Sequence, residues 1–296
     1  MNQLKTIVLL GVLSALIVAA GAALGPGWAW GAAALALGMN LFAWFFSDRL
    51  VLRLSGAREV SEAEAPGLYR VVRELAGRAG LPVPRVHVID QPHANAFATG
   101  RDPAHGAVAV TRGLLELLDE RELRGVVAHE LAHVKNRDVL VATVASGLAT
   151  AVSHLANVLA FSGLVGGRDG EEGSGAQGLL FLLVAPVAAT LVQLGISRSR
   201  EYLADEEGAR ISADPLALAS ALEKLHHAAE AVPAAVEPAT AGLHVVNPLA
   251  GLRGLAGLFS THPPAGERIR RLREMALRTA GARLVRGAPS RWPRTS

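Results

Sequence analysis

Four stretches of the chain carry almost no charge, and their spacing sets out the rest. Residues from about Thr6 to Leu24 and from about Trp28 to Phe46 are apolar, with Gly25-Pro26-Gly27 between them and Asn40 interrupting the second. Val139 to about Val165, with Ser153, His154 and Asn157 inside, and Leu179 to Ile196 form the other two. They flank Gly166–Gly178, a glycine-rich loop holding Asp169, Glu171 and Glu172. Each run approaches or exceeds the length that an α-helix needs to cross a hydrocarbon core of about 30 Å. The first also resembles a signal peptide, since Lys5 precedes it and Ala19–Ala23 are small. Cleavage would leave the second run as a new membrane terminus, so two transmembrane hairpins are the simpler reading. Arg49, Arg53 and Arg58 follow the second run, whereas the turn between the first two runs is uncharged. The positive-inside rule therefore predicts a cytoplasmic N-terminus and cytoplasmic flanks, with the acidic loop on the far side.

Between the hairpins the pattern changes to that of a water-soluble fold. Leu68, Val71, Val72 and Leu75 recur at helical spacing between Glu64 and Arg78, and Gly80 follows as a stop. Arg85–Ile89, Asn95–Gly100 and Ala107–Thr111 read as short strands, the last two joined by Asp102, Pro103 and Gly106. Asp119 and Glu122 form a capping-box-like start for the helix that follows. A further helix begins at Pro215, and the tail from Gly281 is basic and proline-containing, which predicts an irregular segment or one resting on anionic lipid. The fold expected is mostly α with a small β-sheet.

Composition narrows the chemistry. Hydrophobic residues make up 51% of the chain, charged residues 19%, and mean hydropathy is +0.32, which agrees with an integral membrane protein. The net charge of +3 and pI near 9.8 permit nucleic-acid binding, but no basic stripe interleaved with aromatics is present, so no nucleic-acid partner is expected. There is no cysteine, so disulfides and thiolate metal sites are excluded and any zinc must use histidine and carboxylate.

His129-Glu130-Leu131-Ala132-His133 supplies that donor set. Two histidines four apart project from one helix face and can reach one ion, with Glu130 beside it. A catalytic zinc takes three protein ligands and leaves a fourth position for water, whose proton an adjacent carboxylate can accept. The third ligand must come from elsewhere. Glu201 and Asp205, just after the fourth apolar run, also lie four apart. Glu201 can meet the metal, and Asp205 can accept a hydrogen bond from a ligating histidine. By charge pattern alone a solvated helix end fits equally well, because Glu206 and Glu207 are adjacent.

His129–His133 with Asn136-Arg137-Asp138, Glu201-Tyr202-Leu203-Ala204-Asp205 after a hairpin, Asn95–Arg101, and Phe259-Ser260-Thr261-His262-Pro263-Pro264 together resemble the HtpX-type membrane zinc metallopeptidases, relatives of the CAAX prenyl peptidases. The resemblance runs nearly end to end. It implies a gluzincin-type protease domain split by the third and fourth of four transmembrane helices. The expected division is a membrane hairpin (1–54), a first catalytic half (55–138), a second hairpin (139–196), a second catalytic half (197–280) and a basic tail (281–296). It further implies one Zn²⁺ per subunit on His129, His133 and Glu201, with Glu130 as catalytic base. His262 is then a donor to the reaction's oxyanion, Arg268 orients groups around Glu201 or the substrate, and Asn95 on an edge strand binds substrate backbone. The implied setting is the bacterial inner membrane with the site facing the cytoplasm. The implied substrates are misfolded or misassembled membrane proteins, with self-cleavage expected. Two rival functions are removal of a prenylated C-terminal tripeptide and a non-proteolytic metal-binding scaffold in the membrane.

Overall fold

The computed structural model describes residues 26–137, 198–231 and 264–287, with a few isolated positions such as Ser14 and Val139. The expected spans at Thr6–Leu24, Val139–Val165 and Leu179–Ile196 lie largely or wholly outside these residues, as does His262. The described chain runs α1 (Pro26–Leu54), β1 (Ala57–Glu59), α2 (Pro66–Ala79), β2 (Arg85–Ile89), β3 (Ala96–Thr99) and β4 (Ala107–Thr111). It continues through α3 (Arg112–Leu117), α4 (Glu120–Lys135), α5 (Arg198–Ser212), α6 (Pro215–Ala231) and α7 (Ala265–Gly287). Helix α7 thus enters the segment expected to be an irregular basic tail. The fold is mostly helical with a small mixed sheet, as expected.

The sheet order is β1-β2-β4-β3, with β2 and β4 parallel and the two outer pairs antiparallel. One face carries Val86, Ala96, Ala98, Val108 and Val110 into the main core, against Leu68, Val71, Val72 and Leu75 of α2 and Val126, Val127 and Leu131 of α4. The other face packs Ile89, Phe97, Ala107 and Ala109 on Val51 and Leu52, near the end of α1. An ion pair of 3.0 Å between Arg85 and Asp48 ties the same two elements. All five β4 residues are buried, which explains why this strand reads as a continuous apolar run rather than an alternating one. Strand β1 was not expected from the sequence: its three residues, Ala57, Arg58 and Glu59, carry no apolar alternation.

No single helix among the described residues is long and apolar enough to cross a membrane. Two segments of α1, Gly27–Phe42 and Trp44–Leu54, pass that test together and meet at 63°. Trp28, Trp30, Leu37 and Phe42 are exposed on it. Asn40, the polar residue within this run, donates through Nδ2 to Ser14 Oγ at 2.8 Å, a contact between the first two apolar stretches.

Helix α2 stops at Gly80, whose φ of +71° is the left-handed conformation that glycine adopts without strain, and Leu81 N donates to Ala76 O at 2.9 Å. Helix α4 is the hub. It begins with a full capping box: Glu122 N donates to Asp119 Oδ1 at 2.8 Å, and Asp119 N to Glu122 Oε2 at 3.1 Å. Glu122 also accepts from Ser220 Oγ at 2.7 Å and Lys224 Nζ at 2.6 Å, which couples the start of α4 to α6. Gly125 lets these helices touch, since a Cβ there would lie 2.8 Å from the backbone nitrogen of Leu218. Losing an N-cap acceptor costs roughly 1 kcal/mol. Asp119→Ala is therefore expected to lower unfolding free energy by about that amount in a chaotrope titration of the detergent-solubilised protein.

Candidate metal centre

Helix α4, sixteen residues long, carries the motif, and its last three turns are almost wholly buried. His129 is 1% exposed and Glu130 6%. The Nε2 atoms of His129 and His133 are 3.3 Å apart, and the two rings meet edge to face. Helix α5 crosses this face and brings Glu201 to them: Oε1 lies 3.5 Å from His133 Nε2, and Oε2 lies 3.7 Å from His129 Nε2. One ligand atom from each of the three residues lies within 4.8 Å of the others. Atoms sharing one tetrahedral ion at 2.0–2.1 Å stand about 3.4 Å apart, so the donor spacing fits a zinc-sized ion. The third donor comes from the helix that the sequence pointed to, with Glu201 and Asp205 on the one face of α5 that meets α4.

Asp205 Oδ1 lies 3.0 Å from His129 Nδ1. A carboxylate there favours the tautomer with its proton on Nδ1, which leaves the Nε2 lone pair facing His133 and Glu201. The same carboxylate takes both arms of Arg268, Nε at 2.8 Å and Nη2 at 2.6 Å. Arg268 is 1% exposed, so this bidentate pair lies out of water. Burial pushes the Asp205 carboxyl up, but the Arg268 guanidinium and His129 outweigh it and hold the group below its ordinary value of 3.8. Burial lowers Arg268, and Asp205, Glu201 and Glu130 together more than reverse this. Sequence reasoning set Arg268 near Glu201. The closest approach is to Asp205, while Glu201 Oε2 is 3.9 Å from Nη1.

Glu130 points to the sheet edge, where its Oε2 accepts from Ala98 N of β3 at 2.8 Å. Sequence reasoning placed Ala98 in a strand but assigned it no role, because a backbone N–H leaves no trace in side-chain chemistry. Asn95 lies one residue before β3 rather than within it and is buried. Its backbone is tied to Thr111, with its N–H donating to Oγ1 at 2.8 Å and its carbonyl accepting from Thr111 N at 2.9 Å.

Removing one member of a buried charge pair typically costs about 3–5 kcal/mol. Asp205→Ala should therefore destabilise the metal-free protein by about this much, and Asp205→Ala with Arg268→Leu by clearly less, in chaotrope melts. The folded-state carboxyl titrates below 3.8. The pair's contribution is thus complete above that pH and is lost only as the pH falls through the folded value, so melts from pH 7 to pH 5 should show no change from this source.

Three comparisons bear on this arrangement. The family described as Peptidase family M48 matches residues 62–276, which include both helices of the centre and Arg268. "Protease HtpX homolog" of Ralstonia pickettii (strain 12J) is 52% identical over 281 residues, covering 93% of this chain and 97% of the relative. A relative of the same name in Thermodesulfovibrio yellowstonii (strain ATCC 51303 / DSM 11347 / YP87) is 52% identical over 282 residues, covering 94% and 100%. Among solved structures, the crystal structure of S. mikatae Ste24p aligns at a TM-score of 0.46 and 20% identity, over 80% of this chain and 56% of that one. A family match over most of the chain, and relatives sharing half its residues along their own full length, lead to one conclusion: the chain belongs to peptidase family M48 and is a metalloprotease.

Proposed function

We propose that the protein is a membrane-bound, zinc-dependent endopeptidase that degrades misfolded or misassembled membrane proteins at the cytoplasmic face of a bacterial inner membrane. The observation that carries the catalytic reading is the convergence of His129, His133 and Glu201 at coordination spacing directly beside Glu130. These three side chains would hold the ion, with two neutral nitrogens and one carboxylate, a set that suits zinc. When bound, the ion supplies a Lewis acid for the scissile carbonyl and acidifies a water to a pKa of roughly 7. Glu130 accepts the proton of the attacking water and passes it to the leaving amine nitrogen. Ala98 N–H holds one oxygen of that carboxylate in place, and Asp205 orients His129. His262 donates to the developing oxyanion. The substrate lies as an added strand along the edge of β3, where Asn95 helps to receive its backbone.

The membrane reading rests on several features. Uncharged runs dominate the first part of the chain, α1 exposes aromatic and aliphatic side chains, and Asn40 reaches Ser14 across the first hairpin. A hydrogen bond between apolar helices is a common means of joining them in lipid. Arginines cluster after the second run and favour the cytoplasmic side for the catalytic residues.

Full-length wild type, Glu130→Gln and His129→Ala would be purified in detergent with a chelator, given zinc, and assayed on an unfolded protein. Wild type should cleave only with zinc. Glu130→Gln should bind zinc but lose activity by about a hundredfold or more, and His129→Ala should lose both. An active Glu130→Gln variant overturns the mechanism. Cleavage of a prenylated peptide alone would move the substrate assignment to C-terminal processing.

A further inference from the structure

Where α5 crosses α4, the two backbones meet at Gly208. A Cβ on that residue would lie 2.8 Å from both the Cα and the backbone nitrogen of His129, and 3.1 Å from the carbonyl carbon of Ala128. All three are backbone atoms of the helix that bears the motif, so no flexible side-chain tip can give way. Carbon atoms rest at roughly 3.5–4.0 Å from one another. Any side chain at 208 would therefore have to push α5 from α4 by roughly half an ångström or more. Gly208 lies seven residues, about two helical turns, beyond Glu201, and three beyond Asp205, so it shares the face that carries both. Its contact is the backbone of His129 itself, the residue that Glu201 and Asp205 approach within 3.7 and 3.0 Å.

We infer that Gly208 is a positioning residue: the missing side chain sets the α4–α5 separation and thereby holds Glu201 at coordination distance from His129 and His133. This rests on the zinc reading of that cluster. The helix pays for the residue with a conformational preference below that of alanine, and adding one methyl group would act on the metal through backbone spacing alone. Gly125 provides an internal control. It makes an equally close approach on another side of α4, with a Cβ contact of 2.8 Å to Leu218 N, but that contact joins α4 to α6, which carries none of the proposed ligands.

The test compares full-length wild type, Gly208→Ala and Gly125→Ala in detergent. Zinc affinity would be measured by competition with a chromophoric chelator, and the visible absorption of the Co²⁺-substituted protein would be recorded beside the melting temperature. Both variants should melt earlier than wild type. Gly208→Ala alone should bind zinc about tenfold more weakly, in the range that follows disturbance of a ligand's supporting partners, and should alter the Co²⁺ spectrum. Wild-type affinity and spectrum in Gly208→Ala, or equal changes in both variants, would overturn the inference. If wild type itself binds no zinc, the metal reading fails instead. Should Gly208→Ala not be recovered folded, Ala204→Ser, which adds a single oxygen to the same buried face one turn nearer Glu201, takes its place with the same expected split.

Discussion

The guanidinium of Arg268 sits where a charge does not survive alone. Stripping such an ion of water costs several kcal/mol even after relaxation, and only a well-formed partner offsets it. Asp205 is that partner, through two hydrogen bonds. It is also the group beside Nδ1 of His129. One carboxylate therefore ties α7 to α5 and α5 to α4, and the three helices cannot dock in another register without stranding a buried charge. The donors of the metal cluster are thereby brought together by the folding of the protein itself.

The balance of charge around that pair explains why the cluster suits a divalent ion. Glu130, Glu201 and Asp205 are all nearly inaccessible, and so are two cations, Arg268 and Arg200, the latter next to Glu201 in the chain. Three carboxylates against two guanidiniums still leave a formal excess of negative charge, in a region too dry to dissipate it. A dication placed between His129, His133 and Glu201 would offset that excess and complete the two imidazoles, whose Nε2 atoms lie 3.3 Å apart. The residues that would hold an ion and those that balance its charge are thus parts of one electrostatic unit.

How much of this was legible beforehand depended on whether the signal was local. The capping box, the stop at Gly80, β2 and β4 were readable because each is written within a few adjacent residues. The pairing of His129 and His133 followed from helical spacing. Glu201 was harder. Its carboxylate looked no different from Glu206 or Glu207, and only its place in a longer run of family-like motifs singled it out. The partner of Arg268 stayed hidden because Asp205 lies 63 residues away, and nothing in either neighbourhood records the meeting. Close approaches at Gly125 and Gly208 were invisible for a related reason: a glycine inside a helix reads as a local weakness, and its use appears only when another backbone is seen against it.

The sheet extends this logic outward. Its inner face rests on α2 and α4, and its outer face rests on the last turns of α1, so the sheet alone lies between the motif helix and that end of α1. Strand β4, buried along its whole length, cannot slide against either layer without exposing apolar surface. Strand β3 lies at the sheet edge, with Ala98 reaching Glu130. The position of the carboxylate at the chemical centre is therefore referred through β3 and β4 to α1. The placement of Glu130 relative to the last turns of α1 is thus set by the packing of Val51, Leu52, Phe97 and Ala109.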